Sequence, residues 1–267
     1  MSGVYTTAPG LVPLVRGTQK IFDEDEHYEE YIENKRRCHA EDISKYHCKH
    51  NLRENTRDAV NEFLSARMTA EYPEIFQTKQ VHDFDTLCSQ LQEDVAVVQM
   101  EGDKDWLTAI HLCSPNHWDP RTKIGKPFNE IHIPVPEIGR TVKNYQVMLK
   151  MIIDKEPFTR FAWGIATDTR LNHHPEPPPG YDLEKWRGRK MADKNTEFFV
   201  RVERQNLIGL KDVNAFIFTI RTYFYRVSEL ATEEKSALAK AVQSMTPASL
   251  EYKGMTFLKA LVLQQLS

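Results

Sequence analysis

The stretch EFFVRVERQNLIGLKDVNAFIFTIRTYFYRV, residues 197–227, contains two segments whose side chains alternate between two faces. One face of the first segment carries the polar residues Arg201, Glu203 and Gln205. One face of the second segment carries Arg221 and Tyr223. Because a side-chain period of two is that of a β-strand, the stretch predicts two long strands. The short connection between them favours an antiparallel hairpin over a parallel crossover.

Segments outside this stretch extend the sheet and add helices. DVAVVQME and WLTAIHLCS, close together around Gly102 and Asp103, predict an earlier hairpin, and RFAWGIAT predicts a further strand. Apolar residues recur at helical spacing in residues 28–68, in residues 145–152 and in two segments near the C-terminus. The sequence therefore predicts an α+β fold: a mostly antiparallel sheet of about five strands with N-terminal, inserted and C-terminal helices.

The predicted domain organisation follows from the order of these elements, since a helical pattern comes first and the strand patterns follow it. We expect residues 1–80 to form a helical section packed on the sheet and residues 81–267 to contain the sheet, the two together making one structural unit. Prolines at positions 175, 177, 178 and 179 predict that residues 168–189 form a long irregular loop.

Composition excludes several classes of protein. The 267 residues include 40% hydrophobic and 27% charged residues, which is ordinary for a globular protein. A net charge of −3 gives no sign of a basic surface for nucleic acid or anionic lipid. The apolar runs are far shorter than the roughly 20 residues that span a bilayer. The opening residues lack the pattern of a signal peptide, and we therefore expect a cytoplasmic protein.

The cysteine and histidine pattern gives weak support for a metal site. Four cysteines occur without a C-x-x-C or C-x-x-C-H motif, which is typical of reduced thiols and excludes covalent c-type haem. A small cluster stands in one region: Cys38, His39, His47, Cys48 and His50. The spacing of its cysteines is not that of a common zinc site, and a polar helix face is the ordinary interpretation.

Sequence motifs of several large enzyme classes are missing. The chain contains no G-x-S-x-G, no G-x-G-x-x-G, no Walker loop and no H-E-x-x-H. The polar strand faces leave two interpretations open, a solvent-facing sheet surface or a polar wall of a pocket. His132 also has two possible interpretations. It is an ordinary core or surface histidine, or it is the single axial ligand that a b-type haem requires.

Three stretches resemble one known family. Residues 106–136 (WLTAIHLCSPNHWDPRTKIGKPFNEIHIPVP), 160–163 (RFAW) and 201–224 are similar to the haem-dependent oxidative N-demethylase family in order and spacing. The resemblance implies a PAS-like five-stranded sheet and a non-covalent haem b with an axial histidine. It also implies oxidation of a small secondary amine, typified by dimethylamine, by O₂ to a shorter amine and formaldehyde. Electrons would come from NADPH through a separate flavin and iron–sulfur reductase.

The resemblance also implies roles for particular residues. We expect the haem contacts to come from His132 as iron ligand and from Lys123, Lys126, Arg160, Trp163 and Arg201. The competing histidines are His111, His117, His173 and His174. Arg221 is expected to hydrogen-bond bound oxygen, Tyr223 to place the substrate or relay a proton, and Glu203 to meet an arginine or the substrate ammonium.

The segment from Leu171 to Lys190 matches the family least well, and this difference is compatible with a different nitrogen-containing substrate. The sequence is also compatible with a haem-binding PAS-like sensor or carrier without turnover, and with a haem-free binding protein.

Overall fold

The structure, a computed structural model, describes residues 4–14, 19–76, 83–137, 139, 143–155 and 157–267. Seven strands are found in these residues: β1 (Val12–Pro13), β2 (His47–Lys49), β3 (Asp94–Glu101), β4 (Lys104–His111), β5 (Phe158–Ala166), β6 (Phe199–Leu210) and β7 (Ala215–Arg226). They form one sheet in the order β1-β5-β6-β7-β3-β4-β2, with antiparallel neighbours throughout. The predicted α+β class is confirmed. The predicted number of about five strands is too low, because β1 and β2 are too short to show a period in the sequence.

Nine α-helices are assigned in the described part of the chain: α1 (Tyr28–Asp42), α2 (Glu54–Glu71), α3 (Phe84–Cys88), α4 (Phe128–His132), α5 (Tyr145–Asp154), α6 (Leu183–Arg187), α7 (Thr232–Ser244), α8 (Pro247–Tyr252) and α9 (Lys259–Gln265). Helix α6 lies inside the segment predicted to be wholly irregular. It begins after the last proline of that segment, and the Asp182 carboxylate caps it by accepting a hydrogen bond from Lys185 N. None of the described helices is long and apolar enough to cross a membrane.

The β6–β7 hairpin decides where the polar side chains point. Arg204 is the cross-strand partner of Arg221, and Val202 is that of Tyr223. Since cross-strand partners share a face, Arg221 and Tyr223 lie on the opposite face from Glu203. We call these the Arg221 face and the Glu203 face. The sequence-based interpretation of one continuous polar wall is therefore wrong, because the register divides its members between two faces.

Helix α5 covers part of the Glu203 face and positions the loops around it. Its residues Leu149 and Ile152 are fully buried in a core that includes Leu207 and Phe216 of the hairpin. Gly209 permits this packing, since a Cβ atom there would lie 2.6 Å from the Ile152 carbonyl oxygen and closer still to that of Ile153. The helix backbone therefore rests directly on β6.

The Arg221 face is covered at both ends by separate groups of helices. At one end, Val60 and Leu64 of α2 pack with Val97 and Ile217 of the sheet. At the other, the C-terminal helices bury Leu238, Val242 and Val262 against the sheet in a core that includes Ile165 and Val200. These two groups of helices therefore pack on the face opposite to the one that α5 covers.

Candidate functional site

Glu203 stands at the centre of a polar group on its face of the sheet. Gln205 donates from Nε2 to Glu203 Oε2 at 2.9 Å, and Arg201 Nε lies 3.4 Å from Oε1. Arg160 of β5 pairs in register with Gln205 and so shares this face. The carboxylate is held from two sides by neighbouring strand residues, which fixes its direction.

Arg160 is a half-buried cation with an incomplete set of hydrogen bonds. Burial lowers the pKa of its guanidinium, and the charge of Glu203 opposes this effect. Its Nε is buried and has no hydrogen-bond partner within the described ranges. A buried donor without a partner is costly, about 1–3 kcal/mol. The site therefore suits an anionic group that would accept this bond.

Helix α4 places His132 beside this arginine. A five-residue helix is unstable by itself, and here both of its ends are held. The Asp105 carboxylate accepts a bond of 2.6 Å from Phe128 N at its start, and Lys123 Nζ donates to Ile131 O at 2.8 Å near its end. A fixed position of the imidazole is what the expected role of His132 as iron ligand requires.

The hydrogen bonding of His132 determines its tautomer. Nδ1 lies 2.7 Å from Phe128 O, and because a carbonyl oxygen only accepts, Nδ1 carries the proton. Burial lowers the pKa of His132 to about 4, with the charges of Arg160 and Lys123 acting in the same direction. The imidazole is therefore neutral near pH 7, and its Nε2 carries a lone pair that has no hydrogen-bond partner among the described residues. A neutral imidazole whose other nitrogen donates to a carbonyl is the usual form of a metal-binding histidine.

Two of the cations expected to contact the haem lie near this imidazole. Lys123 and Arg160 are both close enough to affect the pKa of His132. Lys126 is exposed and near Lys123, whose pKa is lowered by burial and then by the Lys126 charge. Arg160 and Lys123 therefore lie near His132, and Lys126 lies near Lys123.

Arg201 has a different environment from the one expected of a haem contact. Its side chain is 1% exposed, and its five N–H donors meet five acceptors. These are Glu203 Oε1, Leu171 O, His173 Nδ1, Ser114 O and Thr222 Oγ1. No donor is left for a propionate in this conformation. Arg201 instead joins two loops to the strand that carries Glu203.

Arg221 and Tyr223 are engaged on the other side of the sheet. Arg221 donates to Asp25 Oδ2 at 2.8 Å and to Asp23 O at 3.0 Å, and its guanidinium lies 4.0 Å from the centre of the Tyr31 ring. Tyr223 donates its hydroxyl hydrogen to Asp23 Oδ2. The sheet separates both residues from His132. The predicted arrangement in which one haem has His132 on one side and Arg221 on the other is therefore not assembled.

Trp163 also lies away from the predicted haem site. Its β5 position faces the C-terminal helices on the Arg221 face, where its ring meets that of Tyr5 edge-on at 6.0 Å. Its backbone carbonyl, by contrast, accepts a bond of 2.6 Å from Lys253 Nζ.

The competing histidines lie in two places: three are in the loops that contain residues 117, 173 and 174, and His111 is in strand β4. His173 has both ring nitrogens engaged, since Arg201 donates to Nδ1 and Nε2 lies 2.9 Å from Asp168 Oδ1. His117 stacks on His173 at 5.1 Å, and burial lowers its pKa to about 2. His174 is fully buried, with Nδ1 directed to the backbone of Glu176. His111 lies on the Arg221 face, at the far end of the sheet.

Arg189 and the residues around Gly254 belong to the site although no sequence pattern indicates them. Burial lowers the pKa of Arg189 to about 10, and its Nε is another buried donor without a partner in the described part of the chain. Gly254 has φ +65°, and a Cβ atom there would lie 2.7 Å from Arg189 Cζ. The left-handed backbone and the close arginine favour glycine at this position. A lone glycine after a helix is, however, indistinguishable in sequence from an ordinary helix end.

These observations define an α+β protein with a neutral imidazole and under-bonded, half-buried cations on one face of an antiparallel sheet. A family model described as haem-dependent oxidative N-demethylase, alpha subunit-like, matches residues 79–263, which is more than half of the chain. The chain belongs to this family. Its description names a haem-dependent oxidative enzyme, and the term alpha subunit points to an enzyme with more than one component.

Proposed function

We propose that the chain is the haem-binding component of a monooxygenase-type N-demethylase acting on a small secondary amine. Family membership and the state of His132 support this proposal. The observation that carries it is the imidazole of α4, which is neutral, fixed by Phe128 O and open at Nε2. That is the donor a b-type haem iron requires.

The order of the central strands supports our proposal that the sheet is PAS-like, as the resemblance implies. The central strands β4, β3, β7, β6 and β5 are neighbours in that order, and α4 and α5 stand in the connection between β4 and β5. Both helices lie on the Glu203 face. We therefore assign the haem to this face, near α4.

The residues present fit such a group. His132 Nε2 would bind the iron, and Arg160 with Lys123 would pair with the propionates, which would supply the acceptor that Arg160 Nε lacks. Lys126 is placed to add a solvent-exposed charge. Bound haem supplies the iron chemistry that uses O₂ to oxidise the C–H bond next to the amine nitrogen.

Glu203 is the residue we assign to the amine. A secondary amine is protonated near neutral pH, and a carboxylate held by Arg201 and Gln205 can bind the ammonium and accept its proton. In the overall reaction the amine, O₂, two electrons and two protons give the shorter amine, formaldehyde and water. The chain contains no dinucleotide-binding motif, and we propose a separate reductase as the source of the electrons.

The test uses purified full-length chain reconstituted with haem. We expect a Soret band in the wild-type protein and formaldehyde release from dimethylamine when electrons are supplied. His132→Ala should lose stable haem binding, whereas His50→Ala, a change at an exposed histidine, should keep it. A normal Soret band in His132→Ala would place the ligand elsewhere. Haem binding without formaldehyde from any amine tested would favour a sensor or carrier.

Glu203→Gln separates substrate binding from haem binding. It should leave the Soret band intact and raise the KM for the amine, because the neutral amide loses the charge that binds the ammonium. An unchanged KM would remove Glu203 from the substrate site.

A further inference from the structure

Four potential metal ligands converge at the far end of the Arg221 face. They come from four elements: His39 from α1, His47 from β2, Asp85 from α3 and His111 from β4. His39 Nε2 lies 3.0 Å from His111 Nε2, and His47 Nδ1 lies 3.0 Å from Asp85 Oδ1. Asp85 Oδ1 is also 3.4 Å from His111 Nε2 and 3.6 Å from His39 Nε2.

These separations match those of ligands around one small ion. Nitrogen and oxygen ligands of tetrahedral zinc lie roughly 2.0–2.2 Å from the metal, which places them about 3.3 Å from one another. Four of the six separations among these ligands, from 3.0 to 3.6 Å, bracket this value.

The hydrogen bonding at Asp85 points to the same conclusion. Its Oδ1 is buried and, among the described residues, forms no hydrogen bond of acceptable geometry, although three imidazole nitrogens surround it. In a simple hydrogen-bonded cluster at least one imidazole N–H would point at this oxygen. If the imidazole lone pairs instead point at a metal position between the four groups, no imidazole N–H is left to donate to Asp85 Oδ1.

The fold builds this group from its sheet register. His47 and His111 are directly paired across β2 and β4, so their side chains stand next to each other on one face. The side chain of His111 is completely buried, and those of His39 and Asp85 are 25% and 23% exposed. An ion can therefore reach the site from solvent and still be enclosed by it.

We propose that His39, His47, Asp85 and His111 form a tetrahedral zinc site. Three imidazoles and one carboxylate suit a divalent ion of intermediate softness, and four protein ligands leave no open position for a substrate. The ion ties α1, β2 and α3 to the edge of the sheet. The site lies on the opposite face from His132 and is independent of the proposed haem chemistry.

The sequence cluster around residue 38 contained only half of this ligand set. Cys38 and Cys48 are directed elsewhere, to the backbone oxygens of Cys113 and Ser44. Cys113 is a competing candidate ligand, since its sulfur lies within 4.8 Å of donor atoms of His39 and His111. A test has to separate it from Asp85.

The test measures metal binding by the full-length chain after removal of metal by a chelator. ZnCl₂ titrated into the wild-type protein should bind at one ion per chain and raise the melting temperature, and CoCl₂ should give the visible absorption of a four-coordinate site. Asp85→Asn and His39→Asn should weaken zinc binding by more than the roughly 10–100-fold that loss of an outer-shell partner costs. His27→Asn, at a histidine with a 61% exposed side chain, is the matched control and should bind as the wild type does.

The haem content of each variant is measured alongside, and it should not change. The proposal is overturned if the metal-free wild-type protein binds neither zinc nor cobalt. It is also overturned if Asp85→Asn binds zinc as tightly as the wild type, or if Cys113→Ser loses the metal.

Discussion

Replacing Arg201 with lysine removes two of five buried hydrogen-bond donors while it keeps the charge. The ammonium has three N–H bonds, so at least two of the acceptors that Arg201 serves in the structure lose their donor. Each buried polar group left unsatisfied costs about 1–3 kcal/mol, and the expected loss of unfolding free energy is therefore about 2–6 kcal/mol.

Urea unfolding of the full-length chain measures this loss. The matched control is Arg204→Lys, on the opposite face of the same strand, where the side chain is only partly buried and donates to Lys20 O. The control should change the unfolding free energy by less than about 0.5–1 kcal/mol. If Arg201→Lys also costs less than about 1 kcal/mol, its five contacts do not form together in solution, and the fixed position of Glu203 has to be abandoned.

Three further predictions concern other parts of the fold. In a thermal unfolding assay, Gly209→Ala should destabilise the protein far more than Gly164→Ala, because only the change at Gly209 brings a Cβ atom against helix backbone. Equal losses of stability would contradict the direct packing of α5 on β6. Burial raises the pKa of Glu93 and of the neighbouring Glu24 above the ordinary value of a carboxyl group, so the folded state holds protons that the unfolded state has released. Stability should therefore fall as pH rises above about 4.5 toward the raised pKa values of the pair. Glu93→Gln should flatten this fall when unfolding is measured across that range, and an unchanged slope would assign it to other groups. Arg221→Ala removes the bonds to Asp23 and Asp25 and should therefore increase hydrogen exchange in residues 21–31. It should keep both the haem and the turnover per haem. Loss of turnover with normal exchange would restore a catalytic role for Arg221.

Local periodicity accounts for the part of the fold that sequence could predict. β6 and β7 are twelve residues long each, and the alternation within them is long enough to define both strands and the side chains that share a face within each one. The relation between the two strands was not available from pattern alone. It depends on the register, which is set by the turn at residues 211–214 and its left-handed Asn214.

The same limit applies to the two sites. His132 could be singled out because its sequence neighbours are unusual, and the family resemblance gave it a role. The group of His39, His47, Asp85 and His111 could not be found, because its members come from four elements and only tertiary packing brings them together. Arg189 and Lys253 escaped notice for a related reason, since each becomes important only through contacts with a distant segment.

The bond from Lys253 to Trp163 O has a consequence for the behaviour of the protein at high concentration. Within the described residues, β1 pairs with Phe158 and Thr159 of β5, and further along this edge Lys253 of the C-terminal segment meets Trp163. A lysine that occupies a carbonyl of an edge strand hinders the addition of a strand from another chain. Loss of the C-terminal segment would therefore leave this edge of β5, beside the exposed Phe161, free to pair with a strand of another chain. Such pairing would favour self-association.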